Sequence, residues 1–280
     1  EENIHRIYAQ NLYERVDYEF EQRGDDNVLV VYAKEKSWGP GFFDMMISVE
    51  ESFNNGSSNI AIGGAYTLTD INRYGAEWRS EFIVGTRTDI NTEFYSPLDK
   101  NQNFYWNIEA GYTKQKRNFY FNDLSENNLD YIATEFNSFY TETELGWNIN
   151  PKAIAALGYG AVLGNVDLLG LGQDTDTNSY GPYLRFGYDT LDNIYFPTRG
   201  HSVQFKASSI FEDDTKNSDD SLYGSFKWLG AHSIYRHSLA LNFEFGGTDS
   251  SLLLPTVAQD LGGYRKLSGF NQNEISGRYK

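Results

Sequence analysis

Apolar and polar residues alternate along most of this chain. In one segment Phe104, Trp106 and Ile108 are apolar, whereas Asn107 and Glu109 between them are polar. Successive side chains of a β-strand point to opposite faces, so this period of two predicts strands with one apolar and one polar face. The pattern recurs beyond about residue 40, in about eleven segments of about ten residues each, the length of a membrane-crossing strand.

The polar face of these segments carries charges in mid-strand. The charged positions are Glu77, Arg79, Glu81, Glu109, Glu142, Glu144, Arg185, Lys206, Lys227 and Glu244. A dry sandwich core would bury such charges at a large cost in free energy, whereas a water-filled lumen accommodates them. The pattern therefore favours an all-β protein, a transmembrane antiparallel β-barrel, over the alternative of a soluble β-sandwich or lipocalin-like barrel.

Segment ends and connections favour the same class. Aromatic residues gather at segment ends, for example at Phe42 and Phe43, as in the interfacial girdles of membrane barrels. We expect short turns at NNGSS, NPK and YR on one side, and longer polar loops at LGQDTDTNS and EDDTKNSDD on the other. That layout is typical of outer-membrane barrels.

The two ends of the chain differ from the middle. Residues 1–36 predict a short helix over IHRIYAQNLY and then a hairpin around GDD. The apolar residues of the hairpin are Val16, Tyr18, Phe20, Val28, Val30 and Tyr32. So small a unit does not fold alone, and a strand starting at Ile275 has no partner in a membrane that tolerates no open edge. We expect both ends of a longer parent to be missing; the alternative is an odd-stranded barrel.

Composition excludes several classes of protein. The net charge is −16, from 23 basic and 39 acidic residues, which argues against nucleic acid as a partner. The absence of cysteine excludes disulfides and thiolate metal sites. No G-x-S-x-G serine elbow occurs, so we expect no catalytic residue in this chain. Asp260-Leu261-Gly262-Gly263 comes nearest to the Asp-Gly pair of a patatin-type hydrolase, but the inserted leucine breaks it.

Metal chemistry is also not expected. The four histidines lack metal-ligand spacing. Asp174, Asp176 and Asn178 resemble the start of a calcium loop, but Ser179 and Arg185 stand where that loop requires glycine and glutamate. We therefore predict no metal or cofactor, and interpret these acidic residues, with Asp213, Asp214, Asp219 and Asp220, as a solvated rim where divalent ions bridge to lipid phosphates.

The order of segments resembles the C-terminal part of the bacterial surface antigen superfamily of outer-membrane assembly and secretion barrels. The hairpin EFEQRGDDNVLVVYAKEKSWGP, the turn FPTRG and the loop RKLSGFNQNEISG carry the resemblance, which covers essentially the whole chain. EKSWGP, GAEWRSEF and TEFYSPLD are similar to a branch of patatin-like phospholipases, which are autotransporter-like. In that branch a catalytic domain is followed by a polypeptide-transport-associated (POTRA) domain and a barrel of about sixteen strands.

This resemblance implies a domain division and a lumen loop. Residues 1–36 would end a POTRA domain, residues 37–280 would form a barrel truncated before its last strands, and residues 248–277 would fold back into the lumen before strand twelve. The family's loop motif is aliphatic-Arg-Gly-aromatic, and Leu267, Ser268, Gly269 and Phe270 occupy it here, with serine replacing arginine. Arg265 or Lys266 would then supply the missing charge to a lumen glutamate. The alternative is a long external loop.

The function implied is that of an outer-membrane barrel with its N-terminal part in the periplasm of a Gram-negative bacterium. It would anchor, and export or position, an upstream patatin-like lipid hydrolase. The alternatives are a general protein-insertion or secretion pore, and a passive diffusion channel. The implied partners are outer-membrane lipid and lipopolysaccharide, upstream domains of the same chain, and a translocated polypeptide or a homodimer partner.

Overall fold

The computed structural model describes residues 13–24, 26–35, 39–52, 57–85, 87–123, 128–168, 173–193, 196–214, 218–250, 259–261 and 275–279. Every regular element in these ranges is a β-strand, which confirms the all-β prediction. No helix of the described residues is long and apolar enough to cross a membrane.

Eleven strands form one antiparallel sheet in which every strand pairs with its neighbours in sequence. They are β3 (Gly41–Ser52), β4 (Ser57–Leu68), β5 (Glu77–Gly85), β6 (Arg87–Pro97), β7 (Phe104–Asp123), β8 (Asn128–Asn150), β9 (Ala153–Leu168), β10 (Gln173–Asp189), β11 (Gly200–Asp214), β12 (Ser218–Ile234) and β13 (His237–Thr248). The predicted strand count is confirmed. Within the described part of the chain, β3 and β13 are the two edge strands of this sheet.

The two faces of this sheet differ as the alternation predicts. Leu145, Leu157 and Leu184 lie side by side on β8, β9 and β10, and their exposed fractions are 61%, 59% and 56%. In the next row Glu144 and Tyr183 face the opposite side, and both are buried. The apolar residues are thus on the outer face and the polar residues are on the covered, inner face. This inversion of the usual soluble pattern requires a non-aqueous surrounding.

The predicted division into short turns and long loops is wrong. DTDTNS lies within β10, and EDD and SDD lie within β11 and β12, so strands continue where loops were expected. Because the chain reverses at every turn, Ser57 and Ser58 of NNGSS lie at the same sheet end as these segments, opposite NPK and YR. These strand ends have polar residues on both faces, so they lack the alternation of apolar and polar residues that predicts a strand. Their Asp, Asn and Thr residues are also typical of turns.

The N-terminal hairpin is present, with a different arrangement of its faces. Strands β1 (Tyr13–Arg23) and β2 (Asp26–Glu35) pair antiparallel, as predicted. Phe20 lies opposite Leu29, whereas Val28 lies opposite Glu21, so Val28 and Val30 are on the other face from Tyr18 and Phe20. The residues of β2 that share a face with Tyr18 and Phe20 are Val31 and Leu29. The helix was predicted over residues 4–13; residues 4–12 lie outside the described residues, and Tyr13 begins β1.

The chain after β13 returns to the inner side of the sheet. Strands β14 (Gln259–Leu261) and β15 (Ile275–Gly277) pair antiparallel with each other. β15 contacts β7, which lies six strands away from β13 in the sheet. Immediately afterwards Arg278 O accepts a hydrogen bond from Thr248 N at 2.9 Å, and Tyr279 pairs with Gly247 on β13. The chain therefore crosses from β7 to the β13 edge within a few residues.

The turn between β10 and β11 is organised by one carboxylate. Asp192 accepts hydrogen bonds from Thr198 N at 2.8 Å, Arg199 N at 3.0 Å and the Thr198 hydroxyl at 2.5 Å. These bonds, led by that of the hydroxyl, lower the pKa of Asp192 from its ordinary value of 3.8 to about 2. A carboxyl group whose pKa is lowered by folding stabilises the folded state at pH values above its ordinary pKa. This contribution to stability is lost as the pH falls through the lowered pKa. This turn should therefore loosen between pH 3.8 and about pH 2.

Pepsin cleavage beside the exposed Phe196 reports this loosening. We expect wild-type protein to become several-fold more sensitive at this position as the pH falls from about 4 to about 2, because the Asp192 carboxylate becomes protonated. The Asp192→Ala variant should be cleaved readily at both pH values, and it corrects for the change in pepsin activity itself. Equal sensitivity of the two proteins at pH 4 would contradict the role of Asp192.

Candidate functional site on the inner wall

Glu144 is the centre of a hydrogen-bonded cluster on the inner face. Its carboxylate accepts hydrogen bonds from the Tyr105 hydroxyl at 3.0 Å, the Tyr183 hydroxyl at 3.2 Å and Arg185 Nε at 3.2 Å. Arg185 Nη2 also donates to Glu144 and, at 3.1 Å, to the Tyr105 hydroxyl. The Glu144 side chain is only 6% exposed, so its charge is satisfied by these donors rather than by bulk water.

Glycines opposite the tyrosines make this cluster possible. Tyr105 on β7 is in register with Gly146 on β8, and Tyr183 on β10 is in register with Gly158 on β9. A Cβ atom on Gly146 would lie 1.9 Å from Tyr105 Cζ, and one on Gly158 would lie 2.2 Å from Tyr183 Cζ. Each ring therefore lies flat over the neighbouring strand and brings its hydroxyl to Glu144.

A second ion pair spans more of the wall. Lys206 Nζ on β11 lies 3.2 Å from Glu142 Oε1 on β8 and 4.3 Å from the centre of the Tyr183 ring. In a flat sheet those two strands would be about 14 Å apart. The Arg185 to Tyr105 bond spans as many strands, from β10 to β7. Contacts over such spans, and that of β15 with β7, indicate that the sheet curls towards its polar face.

Charge is unevenly distributed around this concave wall. On this face, the charged residues of strands β5 to β8 with described side chains include seven carboxylates and two arginines: Glu77, Glu81, Asp89, Glu93, Glu109, Glu142, Glu144, Arg79 and Arg87. Strands β10 to β12 present Arg185, Lys206 and Lys227, which line a cavity of about 540 Å³. A smaller cavity of about 180 Å³ lies on the acidic side, between Glu93, Glu109 and Arg185. One part of the wall therefore attracts cations and the other attracts anions.

The structure brings together several residues that the sequence placed in a lumen. Glu109, Glu142, Glu144, Arg185 and Lys206 do share one face, as predicted. The predicted loop motif, from Arg265 to Phe270, lies outside the described residues, so its role stays a prediction.

Tyr105, Tyr183 and their glycine partners belong to no sequence motif. The sequence shows that each tyrosine lies on the polar face of its strand. The glycine opposite it is identified only by the register between strands.

The acidic segment that resembles a calcium loop is part of a strand pair. The Asp176 carboxylate accepts a hydrogen bond from Asn165 Nδ2 on β9 at 3.4 Å. Among the residues that the structure describes, no three His, Asp or Glu side chains form a group suited to a metal ion. The lipid-bridging role of this rim stays a prediction.

Eleven sequentially paired antiparallel strands, apolar outside and charged inside, define the wall of a membrane-type β-barrel. The fold is similar to that in the crystal structure of BamA from Haemophilus ducreyi lacking POTRA domains 1–3, with a TM-score of 0.67. The match covers 97% of this chain and 54% of the BamA chain, so this protein spans about half the length of that structure. At 15% sequence identity the likeness concerns the fold. No family model and no curated protein matches the sequence.

Proposed function

We propose that this chain forms the wall of an outer-membrane barrel of the bacterial surface antigen superfamily, and that the barrel inserts or secretes other polypeptides. The observation that carries the proposal is the inverted sheet, in which leucines are exposed outside while Glu144 and Arg185 pair inside. The likeness to BamA supports the fold on which the proposal rests, and the sequence motifs quoted above support the superfamily.

The surfaces of the sheet suit a place in the outer membrane of a Gram-negative bacterium. The apolar outer rows would contact lipid, and the charged inner face would contact water. Because the β1–β2 hairpin directly precedes β3, the sheet end with the turn at residues 190–199 would face the periplasm. The opposite end, where β7, β8 and β10 extend furthest, would meet lipopolysaccharide. The exposed Asp176 and Asp220 at that end would bind divalent ions that bridge to lipid phosphates.

Strand pairing is the mechanism that this architecture offers. Within the described residues β3 is paired only with β4, so its other edge presents backbone donors and acceptors. A substrate segment in extended form could add to that edge through main-chain hydrogen bonds, which require no particular sequence. The apolar outer face of β3, with Met45 and Ile47 exposed, would then pass the new strand directly to lipid.

A narrower version of the proposal joins the barrel to an upstream patatin-like lipid hydrolase that it anchors. This version rests on the sequence resemblance alone, and the present chain stays predicted to be catalytically silent. The gene upstream of Glu1 distinguishes the versions. A G-x-S-x-G domain and one POTRA domain would support the anchor, tandem POTRA domains a general insertion or secretion pore, and a bare signal peptide a diffusion channel.

Reconstitution of the protein as cells make it tests the proposed function. Liposomes that contain it should accelerate the folding of a urea-unfolded outer-membrane barrel several-fold over empty liposomes, because its free strand edge offers a template. The folded state is verified beforehand by the heat-dependent shift of intact barrels on a detergent gel. A protein that shifts normally but does not accelerate folding would contradict the insertion function, and one that is soluble without detergent would contradict the membrane location.

A further inference from the structure

The five hairpin turns at one end of the sheet share a pattern of charge. Each turn contains one basic residue, and all five of these residues are exposed: Arg73, Lys100, Lys152, Arg199 and Arg236. We call these five residues the basic rim. The opposite end of the sheet carries acidic residues near its strand ends, among them Asp167, Asp176 and Asp220. The two ends of the sheet therefore attract ligands of opposite charge.

The carboxylates of the same turns are engaged with the backbone and do not pair with the basic rim. Asp99 accepts hydrogen bonds from Asn101 N at 3.1 Å and from Phe104 N at 2.9 Å. Asp192 likewise accepts from backbone groups of its own turn. No ion pair among the described residues includes a member of the basic rim. The five positive charges are thus available to a partner outside the chain.

Hydrogen bonds between the turns hold the basic rim as a fixed array. Gln102 Nε2 donates to Tyr74 O at 3.0 Å, and Asn148 Nδ2 donates to Gln102 O at 2.6 Å, which joins three successive turns. The remaining turns are joined by Asp189 N to Lys152 O at 2.8 Å and by Ser233 Oγ to Thr198 O at 3.0 Å. Neighbouring turns are two strands apart, or about 10 Å. The charges are therefore spread along the whole edge and do not gather at one point.

Tryptophans place this edge at the boundary between lipid and water. Trp78, Trp106 and Trp147 are exposed on the outer face, each within four residues of a turn. Tryptophan is enriched at the level of the lipid headgroups in membrane proteins. The turns themselves also expose aromatic side chains, Phe196 and Tyr235. The basic rim thus lies where a barrel meets phosphate groups, so its position favours a lipid over a soluble acidic protein.

We propose that the basic rim binds anionic phospholipids of the phosphatidylglycerol class. Each lysine or arginine donates hydrogen bonds to a lipid phosphate, and the acyl chains lie along the apolar outer face of the sheet. The inference rests on the proposed function, which places this end of the sheet at the periplasmic leaflet. It adds that the barrel selects the lipids around this end by their charge, and that the bound lipids fix its depth in the bilayer.

Quenching of tryptophan fluorescence by brominated lipids tests this preference. The protein as cells make it is placed in vesicles of phosphatidylethanolamine and phosphatidylglycerol in one fixed ratio, with an equal amount of bromine on one lipid or on the other. Brominated phosphatidylglycerol should quench about two-fold more than brominated phosphatidylethanolamine, because the rim concentrates it beside the tryptophans. A salt concentration of about 1 M should remove this excess by screening the charges.

Two matched variants locate the lipid. Lys100→Gln with Lys152→Gln should lower the excess, because these lysines lie in the turns next to Trp106 and Trp147. Lys114→Gln with Lys116→Gln removes the same charge from β7 towards the opposite end of the sheet, and should leave the excess unchanged. The heat-dependent gel shift verifies that each variant is folded.

Several outcomes would overturn the proposal. Equal quenching by the two lipids in wild type would do so, and would assign the basic rim to an acidic protein partner. The proposal also fails if the Lys100 and Lys152 variant keeps the full excess, or if the Lys114 and Lys116 variant loses as much of it. A wild type without the gel shift contradicts the membrane barrel itself, whereas a normal shift with equal quenching contradicts the lipid preference alone.

Discussion

Gly146→Ala should destabilise the sheet by about 3 kcal/mol, although it adds only one methyl group. The new Cβ atom would lie 1.9 Å from Tyr105 Cζ, and the ring is held on its other side by the bond from its hydroxyl to Glu144. Tyr105 must leave the surface of β8, and Glu144 then loses one of its donors. The measurement is the temperature at which the protein changes from its compact to its unfolded form on a detergent gel.

Two further variants show whether the clash is the cause. In a Tyr105→Ala background, Gly146→Ala should cost almost nothing, because the ring that it meets has been removed. Gly224→Ala is the matched control in the wild-type background, since a Cβ atom there meets nothing within 4 Å. If Gly146→Ala and Gly224→Ala shift the temperature equally, the loss reflects glycine content in strands and not the position of Tyr105.

The strand array could be predicted because both faces of each strand are chemically uniform over the membrane-length segment. Phe104, Trp106 and Ile108 alternate with Asn107 and Glu109 so regularly that period and face follow from the sequence alone. The signal ends where polar residues occupy both faces of a strand. DTDTNS in β10 pairs with β9 through the backbone, and backbone pairing imposes no pattern on side chains, so these residues were wrongly expected to form a loop.

The inner-wall cluster could be predicted only in part, because its contacts depend on the register between strands. Mid-strand charges identified Glu144 and Arg185 as lumen residues, yet they are 41 positions apart and their contact depends on how β8, β9 and β10 align. A shift of one residue in β8 would turn Glu144 to the outer face, and a shift of one residue in β10 would do the same to Arg185. The position of each charged residue in the alternating pattern predicts which face of the strand it is on. Its pairing partner depends on the alignment of three strands.

Glu144→Gln should have the other large effect and lower the free energy of unfolding by about 2 kcal/mol. This loss should be greater than that at any exposed charge of the wall, because Glu144 is buried. The substitution keeps the shape of the side chain but removes the charge that accepts from Tyr105, Tyr183 and Arg185. Arg185 then keeps its charge without a carboxylate, and its partial exposure to water limits the loss. The same gel-shift temperature measures the effect.

Glu142→Gln is the matched control for this prediction, because it lies on the same strand and face, two residues away. Glu142 is 41% exposed and pairs with Lys206 at 3.2 Å, whereas Glu144 is 6% exposed, so solvent screens the first pair more strongly. We expect Glu142→Gln to cost about 0.5 kcal/mol. Arg185→Gln combined with Glu144→Gln should cost less than the sum of the single changes, since no charge is left unpaired. Equal losses for the two glutamine variants would mean that the Glu144 cluster contributes no more than a surface ion pair.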